Sequence, residues 1–201
     1  MYYSDLGASE QVLVIACGAL AHEILALKSI NKMDHISLHC LPAELHNYPE
    51  KITPLVKDAI FKGRKKFKKI VVGYGECGTK GQLDKLLQEE QIERISGPHC
   101  YAFFSGLNKF SEYAEDDLDV FYLTDFLARH FEKLVYEALG LNRHPELINE
   151  YFRHYNRLVY LAQRNDDELV DRAKNAARLL RLKFEIRPTG YGDLDAFISK
   201  L

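Results

Sequence analysis

The chain has 201 residues, 47% of them hydrophobic, with 27 basic and 29 acidic side chains and a formal net charge of −2. That is enough apolar material for one substantial core, and the balanced charge argues against a global basic field of the kind that binds nucleic acid or an anionic membrane. No run approaches the roughly 20 apolar residues that span a bilayer and no basic-then-apolar leader opens the chain. The sequence therefore reads as a cytoplasmic protein, whose four cysteines are metal ligands, nucleophiles or buried apolar residues rather than disulfides.

Residues 1–11 read as an N-terminal leader and 12–201 as a single α/β domain. Residues 12–16 are a continuous apolar run, the pattern of a strand covered on both faces. Cys17-Gly18 ends it, and a helix follows from Ala21. Residues 36–41 make the next strand, with the Cys40 side chain expected in the core. A loop carrying His46 leads to Pro49, which suits the start of a helix with Ile52, Leu55, Val56 and Ile60 as its apolar stripe. The basic run 62–69 falls at that helix's end, where cations complement the dipole and face solvent. Residues 70–73 are a buried strand that runs into Gly73-Tyr74-Gly75-Glu76-Cys77-Gly78, with a helix from Gln82. A short strand at 92–95 leads into Gly97-Pro98-His99-Cys100 and a further helix. Acidic residues 112–119 connect to a strand at 120–123, and Thr124 or Asp125 caps the helix behind it. A strand at 158–162, a long helix capped by Asn165 or Asp166, a last strand at 184–187 and the turn Gly190-Tyr191-Gly192-Asp193 complete the chain. Seven strands alternating with helices predict an α/β fold with a mostly parallel, doubly wound, Rossmann-like sheet and helices on both faces.

Cys17, Cys77 and Cys100 each come a few residues after a strand. In a parallel sheet such positions share the carboxyl edge, where these folds bind ligands. His46 lies in a loop on that edge and His99 adjoins Cys100. Three thiolates with one imidazole suit tetrahedral zinc; three thiolates alone suit a 4Fe–4S cluster with one open iron. Against both stands the common use of cysteine as a small buried apolar residue, and there is no Cys-x-x-Cys pair to support metal by spacing. Gly73, Tyr74, Gly75 and Gly78 form a turn whose backbone can approach a small-molecule cofactor closely. Gly73-x-Gly75-x-x-Gly78 matches the dinucleotide pattern, though outside the first β–α unit. Cys77 within it is expected near a helix N-terminus that favours thiolate. Gly190-Tyr191-Gly192-Asp193 echoes Gly73-Tyr74-Gly75-Glu76, either as related halves or as repeated use of a good turn.

Seven blocks stand in order: Ala16-Cys17-Gly18-Ala19-Leu20; Leu41-Pro42-Ala43 with Leu45-His46-Asn47; Gly73-Tyr74-Gly75-Glu76-Cys77-Gly78; Gly97-Pro98-His99-Cys100-Tyr101; Thr124-Asp125-Phe126-Leu127; Arg143-His144-Pro145-Glu146-Leu147; and Gly190-Tyr191-Gly192-Asp193. Together they resemble the domain of unknown function 1638 (DUF1638) family. The resemblance implies no established reaction. It implies an association with corrinoid-dependent methyltransferase systems, and hence a metal-binding protein whose partner is a corrinoid protein or a methyltransferase. Cys17, His46, Cys77, His99 and Cys100 fall inside these blocks and Cys40 outside them, which implies a metal site at the first five and a structural role for Cys40.

Overall fold

Short, uninterrupted apolar runs bury both faces only when helices cover a parallel sheet on each side. The computed structural model describes residues 11–113 and 116–201, so the leader expected at the N-terminus lies, but for Gln11, outside the described residues. Among the described residues the seven expected strands are all present. They form two parallel sheets flanked by helices, and the described residues fall into two compact units.

Of the described residues, the first unit comprises 11–103 and 193–201. Its strands are β1 (Val12–Cys17), β2 (Ile36–Leu41), β3 (Lys69–Gly73) and β4 (Glu93–Arg94), in the order β2-β1-β3-β4. The connecting helices are α1 (Ala21–Ile30), α2 (Ile52–Gly63) and α3 (Gln82–Glu89), and α4 (Cys100–Ser105) begins after β4. Leu13 and Ile15 of β1, with Ile70 and Val72 of β3, pack under Val56 and Ile60 of α2 and Leu83 and Leu86 of α3. Alternation along β1 turns Val12, Val14 and Ala16 to the other face, and all three are buried. Burying each such branched aliphatic side chain contributes about 2 kcal/mol.

The second unit comprises residues 104–192. It holds β5 (Val120–Leu123), β6 (Arg157–Ala162) and β7 (Lys183–Pro188), in sequential order, with α5 (Leu107–Tyr113), α6 (Asp125–Phe131), α7 (Ile148–Tyr151) and α8 (Asp167–Leu180). The closing helix α9 (Gly192–Ile198) falls almost wholly in the first unit. Asp166, not Asn165, caps α8 by accepting from the Leu169 N–H at 3.2 Å. The apolar stripe Leu169, Ala173, Ala176, Ala177 and Leu180 is buried, as the 3–4 spacing requires. Thr124, not Asp125, caps α6, accepting from the Leu127 N–H at 3.3 Å.

One ion network ties this second sheet to the segment before it. The Asp117 side chain is 4% exposed and takes a two-pronged contact from Arg187, Nη1 to Oδ2 at 2.5 Å and Nη2 to Oδ1 at 3.1 Å. Arg157 Nη2 donates to Oδ1 at 3.1 Å, and the Tyr122 hydroxyl donates to Oδ2. Burial alone would raise the Asp117 carboxyl, but the Arg187 and Tyr122 hydrogen bonds and the two guanidinium charges outweigh it and hold it below the usual carboxylate range. A carboxyl lowered in the folded state adds stability above its unfolded value of about 4 and loses it as pH falls through the folded value. We expect Asp117→Asn to cost about 3 kcal/mol near neutral pH, because it leaves two partly buried guanidiniums under-paired. Circular-dichroism melts of wild type and variant should converge as the pH drops below about 4.

Candidate functional site

The order β2-β1-β3-β4 puts a switch point between β1 and β3. The chain leaves β1 to one side, reaches β2, then returns past β1 to β3. Loops at the carboxyl ends of such a strand pair diverge and leave a crevice, the usual ligand position in open α/β sheets. Cys17 is the last residue of β1, and Gly73 is the last of β3.

All four cysteines of the chain lie along this edge, one for each strand of the first sheet. Cys17 ends β1, Cys40 is next to last in β2, Cys77 follows β3 in its turn, and Cys100 opens α4 after β4. All four are free and partly exposed. Cys17 and Cys77 pack against the core shared by α2 and α3. Burial pushes the Cys77 thiol up to about 11, with the Cys17 charge adding to it. Cys100 is raised well above its ordinary value, first by burial and then by Cys17 and Cys77. Cys77 and Cys100 are thus both within reach of the Cys17 charge.

Cys40 corrects an expectation. It is half-buried at the edge and not enclosed in the core. Its thiol is pushed up to about 11, first by burial and then by the Cys17 charge. In the register Ala16 stands opposite Cys40 and Leu41 opposite Cys17, so Cys40 approaches from the face opposite to Cys17. The clue in the sequence is that β2, as the first crossover strand, lies beside β1.

Tyr74 and the glycines around it are placed by packing. Tyr74 is 2% exposed and belongs to the α2–α3 core. Its hydroxyl is buried and faces the Cys17 thiol, each group shifting the other through a side-chain hydrogen bond. Gly75 is a point of close approach: a Cβ there would lie 2.8 Å from His99 N, 2.9 Å from His99 Cα and 3.0 Å from Gly97 O. A Cβ on Gly73 would lie 3.0 Å from that of Ala16, and one on Gly78 3.2 Å from Pro49 Cγ. The four residues expected to meet a cofactor, Gly73, Tyr74, Gly75 and Gly78, thus already have neighbours within the chain. The Glu76 N–H donates to Gly97 O at 3.0 Å and the Cys77 N–H to Pro98 O at 2.7 Å, stitching the turn after β3 to the loop after β4.

The turn does not activate Cys77 as the sequence suggests. Its amides serve Glu76, whose carboxylate accepts from Gly78 N at 2.8 Å, Gly81 N at 3.1 Å and Thr79 Oγ1 at 3.0 Å. Burial opposes ionisation of Glu76, but these bonds prevail and lower its carboxyl. α3 starts only at Gln82, beyond the reach of a dipole effect confined to the first turn. Cys77 itself sits at φ 48°, a left-handed conformation that costs a non-glycine residue about 1 kcal/mol and gathers at functional sites.

His46 is exposed and His99 partly buried. The His99 imidazole is lowered first by burial and then by the His46 charge. His99 also meets the Tyr101 ring edge-on at 5.0 Å. Among the described residues, no three His, Cys, Asp or Glu side chains are grouped as they would be around a single ion. The echo between Gly190-Tyr191-Gly192-Asp193 and the β3 turn does not extend to conformation. Gly190 and Gly192 are left-handed, at φ 61° and 50°, whereas Gly73 and Gly75 are not.

Asp125, a capping candidate in the sequence, is 0% exposed. Its Oδ1 accepts from the Tyr160 hydroxyl at 2.7 Å and from Gln163 N at 3.0 Å, and its own N–H donates to Gln163 Oε1 at 2.7 Å. This is a lock between the exits of β5 and β6, and nothing in the sequence marks Tyr160 or Gln163 as its partners.

Strand order, helical cover and a thiol-lined carboxyl edge define a doubly wound α/β protein. Residues 40–198 match the family described as Protein of unknown function (DUF1638), and the chain belongs to that family. The match includes Cys40, His46, Cys77, His99 and Cys100, while Cys17 lies upstream of it. No curated protein and no solved structure matches the chain. No helix among the described residues is long and apolar enough to cross a membrane.

Gly75→Ala tests how tightly the edge is built. Its new methyl meets backbone atoms that no rotamer change can move, so we expect a loss of about 2 kcal/mol, or a melting temperature lower by several degrees. The faster reaction of Cys77 and Cys100 with a thiol reagent should accompany it.

Proposed function

We propose that the carboxyl edge of the first unit is a metal site, with Cys17, Cys77 and Cys100 as protein ligands and His46 or His99 as the fourth. The observation that carries this is that these cysteines follow strands whose ends share one edge at the β1–β3 switch point, with Cys77 and Cys100 within reach of the Cys17 charge. The donor set is soft and suits zinc or an iron–sulfur cluster. Thiols raised first by burial give up their protons when a cation binds the sulfurs. Binding a single ion requires the side chains to turn toward one point from where they now stand.

In this reading bound zinc supplies Lewis acidity toward a thiol or other methyl acceptor. The chain's residues hold it, and the α2–α3 core under Cys17 and Cys77 keeps water from that side. The partner is the one the family resemblance suggests: a corrinoid protein or its methyltransferase, in corrinoid-dependent methyl transfer or one-carbon metabolism. The work is done in the cytoplasm, where thiols stay reduced.

Elemental analysis of protein purified without oxygen tests the proposal. Colourless protein with one zinc per chain supports the zinc form, and brown protein with iron and sulfide supports the 4Fe–4S form. A variant with Cys17, Cys77 and Cys100 all changed to serine should lose the metal and keep its circular-dichroism spectrum, because a chain of this size has a core independent of metal. Wild-type protein that takes up neither zinc nor a reconstituted cluster would refute it.

A further inference from the structure

The second sheet begins at a pocket of about 510 Å³, lined by Asp119, Tyr155, Asn156, Arg157, Arg181 and Lys183. That volume lies within the roughly 300–1,000 Å³ of small-molecule sites. The lining residues stand where strands start. Asp119 immediately precedes β5, and Tyr155 and Asn156 precede β6. Arg157 and Lys183 open β6 and β7, and Arg181 ends α8 just before β7. The pocket therefore lies at the opposite end of this sheet from the Asp125–Tyr160–Gln163 lock. Backbone bonds hold its rim: the Asn156 N–H donates to Asp119 O at 2.9 Å and the Lys183 N–H to Asn156 O at 3.1 Å. The Tyr155 ring is held edge-on by Phe121 at 5.7 Å.

Charge in this pocket is one-sided. Asp119 and Arg157 pair at 3.2 Å and cancel, and Asp117 and Glu185 hold Arg157 further. Arg181 and Lys183 make no ion pair among the described residues, and Arg181 donates to the neutral Asn149 Oδ1 at 3.3 Å. Two cations that the fold does not neutralise thus line one pocket. Arg181 also holds a left-handed conformation, φ 60°, at the end of α8, a position that glycine takes without strain. Two of the last α8 carbonyls, which would repel an anion, are occupied: Ala177 O accepts from the Leu182 N–H at 2.9 Å and Arg178 O from the Arg181 N–H at 3.2 Å.

We propose that this pocket binds the phosphate group of a small molecule, with Arg181 and Lys183 as the charges that hold it. The inference is independent of the metal reading. A phosphate dianion matches two unneutralised cations. A guanidinium meets phosphate oxygens with paired N–H donors, and an ammonium meets them as a point charge. The pocket is larger than one phosphate, and Tyr155 supplies an aromatic wall for the group that carries it.

Titration calorimetry of the full chain with inorganic phosphate, glycerol phosphate and succinate tests this. Both phosphates should bind in the millimolar range or tighter, more weakly as sodium chloride is added, and succinate more weakly than either. Either order of the two phosphates supports the site, and the tighter one shows whether the free ion or an ester is its source. Arg181→Gly removes the guanidinium and suits the left-handed position, so it should melt at least as high as wild type while phosphate affinity falls about tenfold or more. Lys183→Gln keeps the chain length and should weaken phosphate by a similar factor. Wild type that binds neither phosphate, succinate bound as tightly as phosphate, or undiminished affinity in either variant would overturn the proposal.

Discussion

Parallel pairing makes every strand of a sheet end on the same side. With β2, β1, β3 and β4 paired in that way, four chain exits share one edge of the first unit, and each brings a cysteine. Everything distinctive about the edge follows from this constraint. Thiols far apart in sequence come to one edge, and the Cys17 charge reaches Cys77 and Cys100. The exit of β3 must squeeze past that of β4, which leaves no room for a side chain at Gly75. The second sheet has the same parallel pairing, but its three strands run in sequential order without a switch point. Its exits are closed by the Asp125–Tyr160–Gln163 lock.

The edge of the first unit carries a cost that packing does not require. Cys77 is held left-handed. This forgoes about 1 kcal/mol, a noticeable share of the net stability of a domain. Such residues persist where the surrounding structure over-determines them, and they concentrate at sites that do something. The Glu76 carboxylate adds to this picture. By occupying the turn's amides it fixes the loop and leaves the thiols as the chemically available groups.

The strands were legible because continuous apolar runs such as residues 12–16 and 70–73 have few other uses. The stripe of α8 was legible for the same reason, and so was the placing of Cys17, Cys77 and Cys100 after strands that end on one edge, since parallel topology alone implies it. The division into two sheets was not, because periodicity marks strands without saying which of them pair. The place of Cys40 was missed because an apolar strand end looks like core until β2 is set beside β1. The dipole assigned to Cys77 failed because left-handed residues at Cys77, Gly78, Lys80 and Gly81 delay α3 and turn the amides toward Glu76. A carboxylate placed just before a glycine-rich turn was the available sign.

Metal-edge X-ray absorption on the natively loaded protein tests the central claim most directly, because it counts sulfur ligands. Thiols gathered at the β1–β3 switch point to hold a metal predict at least three sulfur scatterers at about 2.3 Å. A shell of nitrogen and oxygen alone, or protein isolated without oxygen that carries no metal, would contradict it.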